Sequence, residues 1–186
     1  PGDALSIAIS DGFHNTGFAT EAGRIEVPGG KQRRTALADI PDPPPGDRER
    51  SKEGGTVNKA AFTGAIWGPN GPVDDDVQQG SISNCFIPAA VLAMLQTHRE
   101  YLATFIVDNH DGTYDVPLFD QKDDGSLERI IVKVDGDLYI RPTGAPYYGA
   151  PKDDKGQHSM HLGFALIEKA YVQHFGGEAG YQAVAK

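Results

Sequence analysis

The chain has 186 residues, a formal net charge of −9, 39% hydrophobic residues and 23% charged residues. That length can bury a real core as one domain with an appendage, and the acid excess argues against nucleic acid or an anionic membrane as partner. A single cysteine excludes an internal disulfide, and no run reaches the length of a transmembrane helix. The N-terminus lacks the basic-then-apolar pattern of a signal peptide, so a soluble protein of open compartment is expected. A start at Pro1 rather than Met is what a trimmed or processed product would have.

Over residues 1–40 the alternating pieces Leu5–Ile9 and Gly23–Val27 predict two brief strands, with His14 in a surface loop. Pro41–Gly55 is almost free of apolar side chains, so it reads as a linker or as a loop docked on something else, with a solvated charge run over Arg48–Lys52. Residues 1–55 are therefore an irregular extension and linker, and residues 56–186 the core. Phe62, Ile66 and Trp67 form an aromatic-rich stretch ahead of a Gly-Pro-Asn-Gly-Pro turn. Asp74-Asp75-Asp76 reads as a solvated turn rather than a cation site, because three adjacent carboxylates repel one another and point in different directions.

The chain is organised around the next stretch, Gln78-Gln79-Gly80-Ser81-Ile82-Ser83-Asn84-Cys85, which leads into the most apolar run of the sequence, Cys85–Leu95. That run has no charge and no hydrophobic gap, which predicts a helix buried on all sides. Ser83 and Asn84 are the N-cap candidates, and Pro88 fits only a first turn, so the helix should begin near Cys85. A thiol there feels the positive end of the helix dipole, which favours the nucleophilic thiolate. A buried structural cysteine is the competing reading. The upstream Gln79 weighs against it, because its amide and the Cys85 backbone N–H are the pair of donors an oxyanion hole needs in acyl transfer.

From His98 to Val107 the helical pattern continues or restarts, until Asp108–Gly112 breaks it. Thr113–Phe119 alternates as a strand with an edge-favouring Pro117; Arg129–Val134 is a second strand, and an Asp135-Gly136 turn leads to a third over Leu138–Ile140. The Asp-rich turns lack the ligand alternation and closing Glu of an EF-hand. A last helix starts near Ser159 or Met160, with Leu162, Leu166, Ile167, Ala170 and Tyr171 inward and Glu168, Lys169 and Gln173 outward, and ends at Gly176-Gly177. His158 and His161 lack a third ligand, so neither metal nor cofactor is expected.

Asp76, Gln79, Gly80 and Cys85, followed by the Ala-rich helix, match the opening motif of calpain-type catalytic domains. Leu162, Ala165–Tyr171, Gly176-Gly177 and Tyr181 match a later helix motif of the same domains, and Asp108–Tyr114 is similar to a turn of bacterial members. Over about residues 74–186 the chain thus resembles the calpain family of papain-like cysteine proteases. The resemblance implies an α+β fold: the first, helix-rich subdomain of a papain-like protease with a small antiparallel hairpin region. It also implies a cysteine endopeptidase with Cys85 as nucleophile and Gln79 in the oxyanion hole. Ser83-Asn84 depart from the family's Gly-Asp, Phe86 and Gly163 from two of its tryptophans, and His161 stands where calcium-dependent members have a carboxylate, so calcium control should be lost.

The catalytic His and Asn of papain-like enzymes come roughly 130–150 residues after the Cys, which lies past Lys186. The expected partners are a peptide or protein substrate and a C-terminal half, in cis or as a separate chain, without which this chain should be inactive. A non-catalytic interaction or regulatory module is the alternative, and a deamidase or transglutaminase a third option.

Overall fold

The computed structural model describes residues 40–62, 64–149 and 161–185, all within the unit Ala36–Lys186. The expected strands at Leu5–Ile9 and Gly23–Val27, His14, His158 and the predicted helix start at Ser159 or Met160 lie outside the described residues. The fold is mixed α+β with small antiparallel sheets. Among the described residues no helix is long and apolar enough to cross a membrane.

Helix α1 (Asp47–Lys52) is followed by β1 (Lys59–Ala61) and a 3-10 turn at Asp74–Asp76. Next come α2 (Phe86–Ala103), β2 (Val107–Asp108), β3 (Thr113–Gln121), β4 (Leu127–Asp135) and β5 (Asp137–Tyr139). Helix α3 (Gly163–Phe175) and a 3-10 segment, Gly177–Val184, complete the chain. One sheet has the order β2-β3-β4 and the other pairs β1 with β5.

In the hairpin β3–β4, Tyr114, Val116 and Leu118 pair with Val134, Val132 and Ile130 and turn one face to the core. Pro117 lies beyond the two-residue pairing with β2, so its missing N–H faces no strand. Strand β5 does not fold back on β4 after Asp135-Gly136. It crosses to β1, and the Lys169 ammonium holds the carbonyls of Asp135 and Asp137 on either side of the bend.

The two long helices exchange the environments expected of them. Helix α2 is not buried all round: Ile87, Val91, Leu95 and Leu102 face the core, while Cys85, Ala89, Ala90 and Ala93 are exposed. Alanine carries little apolar surface, so a face of alanines can stay in water at small cost. The pattern restarts at a kink at His98 (φ −142°, ψ 47°). From Gly163 to Ala170 it is helix α3 that is buried on all sides, including Glu168 and Lys169, at 0% and 1% exposure, that the pattern had assigned to solvent. It lies between the β3–β4 sheet, α2 and the 3-10 segment that folds back along it, which leaves Glu168 and Lys169 no outward face. Gln173 is half-buried, and Gly176 is the C-cap as expected.

The Pro41–Gly55 segment is docked on the core. Gly46 N–H donates to the Tyr148 hydroxyl (2.8 Å), and the Tyr148 hydroxyl donates to Glu49 (3.2 Å). Glu49 is 2% exposed, so the charge run is not wholly solvated: α1 turns that one carboxylate inward. Asp76 likewise departs from the solvated turn expected of it. It is 2% exposed because its carboxylate accepts the Val73 N–H and meets His161.

Gly163 is covered by a tryptophan from elsewhere in the chain. Trp67 lies across the Gly163 Cα, where an added Cβ would come within 2.4 Å of the ring, and the Ile66 carbonyl accepts the Gly163 N–H (2.8 Å). Gly163→Ala should therefore destabilise the fold by about 1–3 kcal/mol despite alanine's better helix propensity, because a buried indole cannot move aside cheaply. Urea unfolding followed by Trp67 fluorescence reads this directly, and an unchanged midpoint would mean that the ring yields.

Candidate active site

Cys85 occupies the N-cap of α2 with φ −52° and ψ −19°, and its thiol is free and exposed. Its carbonyl accepts the Ala89 N–H (3.1 Å), the first bonds of a helix whose leading N–H groups point toward the thiol end. Pro88 sits in the first turn, as its missing donor requires.

The loop from Gln79 to Asn84 is clamped along its length. Gly80 lies so close to the following loop that an added Cβ would be 2.3 Å from the Tyr147 carbonyl oxygen and 2.6 Å from the Tyr148 Cα. Both are backbone atoms, so only glycine fits. Ser81 N–H donates to the same Tyr147 carbonyl (2.7 Å), and the Arg141 guanidinium donates to Ser81 Oγ (2.6 Å) while lying 5.1 Å over the Tyr147 ring. Gln79 Nε2 donates to the Ile82 carbonyl (2.6 Å), closing the loop on itself. A primary amide has two N–H donors, and this bond uses one of them. Gln79 and Cys85 thus stand at the two ends of one rigid turn.

Neither Ser83 nor Asn84 caps the helix with its side chain. Asn84 is fully buried and donates its amide to Glu168 Oε1 across to α3 (2.5 Å). Burial pushes the Glu168 carboxyl up to about 7, against the Asn84 amide and the Gly149 backbone, which favour its ionised form. The sequence held a signal for this. Glu168-Lys169 is the only charged pair inside the otherwise uncharged run Leu162–Val172. Arg141, far away in sequence, carried no such signal.

His161 and Asp76 meet. His161 Nδ1 lies 2.8 Å from Asp76 Oδ1. The other described histidines engage Thr97 (His98), Asp108 (His110) and Asp120 (His174). Among the described residues no three His, Cys, Asp or Glu side chains come together as a metal site. Beside the start of α2 runs an apolar groove of about 210 Å³ lined by Phe86, Ala90, Met94, Phe119 and Tyr171.

No protein-family model matches the chain, and no curated protein matches it either.

Proposed function

We propose that this chain is the nucleophile-bearing half of a calpain-like cysteine endopeptidase with a papain-like fold, completed by a C-terminal half that brings the His and Asn. The observation that carries the reading is the exposed Cys85 thiol at the head of an 18-residue helix, joined to Gln79 by a clamped loop. In the completed enzyme Cys85 Sγ attacks the peptide carbonyl carbon. The incoming His takes the thiol proton and later delivers it to the leaving amine. The Gln79 amide and the Cys85 N–H hold the oxyanion, and water then hydrolyses the thioester. The exposed alanine face of α2 is the natural seat for a second subdomain, since small side chains permit close approach. The positions of the described histidines, each engaged elsewhere, accord with a base supplied from outside.

A non-catalytic interaction module is the second reading. It is favoured by the Ser83-Asn84 departure and by the Gln79 N–H already committed to Ile82. Casein turnover separates the two. The 186-residue chain alone should give none, and the chain together with the polypeptide encoded downstream of Lys186 should turn over casein, with activity lost in Cys85→Ala. A completed protein without turnover would leave the interaction module. Turnover by the chain alone, abolished in Cys85→Ala, would show that an internal base serves the thiol.

A further inference from the structure

Glu168 and Asn84 are both fully buried, and the Asn84 amide N–H donates to Glu168 Oε1 at 2.5 Å. Asn84 Oδ1 and Glu168 Oε2 are buried as well, without a well-formed hydrogen bond. A carboxylic acid and a primary amide can bond at two points, N–H to the acid's carbonyl oxygen and O–H to the amide oxygen, whereas a carboxylate has no proton to give. We propose that Glu168 is a positioning residue for the Cys85 thiol. As the neutral acid it closes a two-point pair with Asn84 and pins the residue immediately before Cys85. As the carboxylate it leaves Asn84 Oδ1 stranded and sets a negative charge behind the start of the Cys85 helix. The inference rests on Cys85 being a nucleophile, but its test needs no peptide hydrolysis.

Among the described residues no charged side chain is paired with Glu168. From the loop before α2 the group facing Glu168 is the uncharged Asn84, and from the loop after β5 it is the Gly149 backbone. From the 3-10 segment it is the Tyr181 phenol, held well above its usual range by burial and then by the Glu168 charge, so it stays neutral. Lys169, next along α3, is turned to Asp42 and Asp135. With the carboxyl raised to about 7, the change falls in the neutral range.

Cys85 is the only cysteine, so alkylation of the full chain by iodoacetamide reads that thiol alone. A negative charge nearby disfavours the thiolate, the form that reacts. Between about pH 5.5 and about pH 9.5 the wild-type rate should carry, besides its rise with pH, a shoulder from Glu168 in the neutral range. In Glu168→Gln the amide N–H replaces the acid O–H and keeps the pair closed at every pH. A single ionisation is expected there, with alkylation at about pH 8 roughly two- to fivefold faster than wild type. Asn84→Ala removes the partner in both bonds of the pair, so the shoulder should shift.

A single-ionisation curve in the wild type overturns the inference, as does a Glu168→Gln curve that superimposes on it or an unmoved shoulder in Asn84→Ala. The wild-type curve needs no variant to fold. A purely structural Glu168 would shift the melting temperature and leave the shape of the thiol profile alone. Failure of the protease reading shows instead as a completed protein that does not cleave casein, which leaves these curves untouched.

Discussion

Glu168→Gln is expected to raise the melting temperature of the protein at about pH 8 and to leave it nearly unchanged at about pH 4. The carboxyl is wholly buried, and its burial lifts it from 4.5 to about 7. A raised carboxyl means that the folded state holds the proton more tightly than the unfolded chain. Stability is then greatest below 4.5, falls as pH rises toward 7, and stays low above it. The difference between 4.5 and about 7 corresponds to about 3 kcal/mol at alkaline pH. Glutamine has the same shape and no charge to bury, so it should recover most of that, a shift on the order of 5–10 °C for a unit of this size. Scanning calorimetry of both proteins at the two pH values is the check. An equal shift at both would mean that packing rather than ionisation is at work, and no shift at the higher pH would mean that the carboxylate is solvated after all.

Periodicity told part of this story. It located the two long helices and the strands of the β3–β4 hairpin, because periodicity and alternation are local properties that need no knowledge of neighbours. It misplaced the environments of α2 and α3 for a physical reason. An unbroken apolar run such as Cys85–Leu95 says that a helix can be buried, whereas burial itself depends on what packs against it. Ala89, Ala90 and Ala93 count as apolar in a pattern and as harmless surface in a structure. The reverse error concerns Glu168 and Lys169. A charged residue is assigned to solvent by default, and only its partners on other elements, Asn84 for one and Asp42 with Asp135 for the other, make burial affordable. Those partners lie far away in sequence and leave no periodic trace. The head of the candidate site was more legible, since Pro88 and the apolar run fix a helix start at Cys85 by local rules. The clamp by Arg141 and Tyr147 on the loop before it was not.

Lys169→Met should destabilise the protein by about 3–5 kcal/mol, the usual cost of stranding buried charge. The ammonium is 1% exposed and holds Asp42 and Asp135, both nearly buried, together with the carbonyls of Asp135 and Asp137. It thereby ties the docked segment around Asp42 and the bend between β4 and β5 to α3. Methionine fills much the same volume, so the loss is electrostatic rather than a cavity. The pH dependence separates these causes. In the wild type, burial pushes the Asp135 carboxyl up, but the bonds from Lys169 and from the Ile40 N–H outweigh it and hold the carboxyl below the usual 3.8. That lowered carboxyl contributes stability present above 3.8 and lost as pH falls through its folded value. Without Lys169 the largest cause left is burial, which acts the other way, so the gap between variant and wild type should narrow as the solution is acidified toward about pH 4. Adding Asp42→Asn to Lys169→Met should restore part of the lost stability, because one of the two stranded carboxylates is then neutral and the two substitutions are coupled. Urea melts of the single and double variants at two pH values measure all of this. A loss below about 1 kcal/mol in Lys169→Met, or a gap independent of pH, would place the ammonium in water and remove it as the tie between these segments.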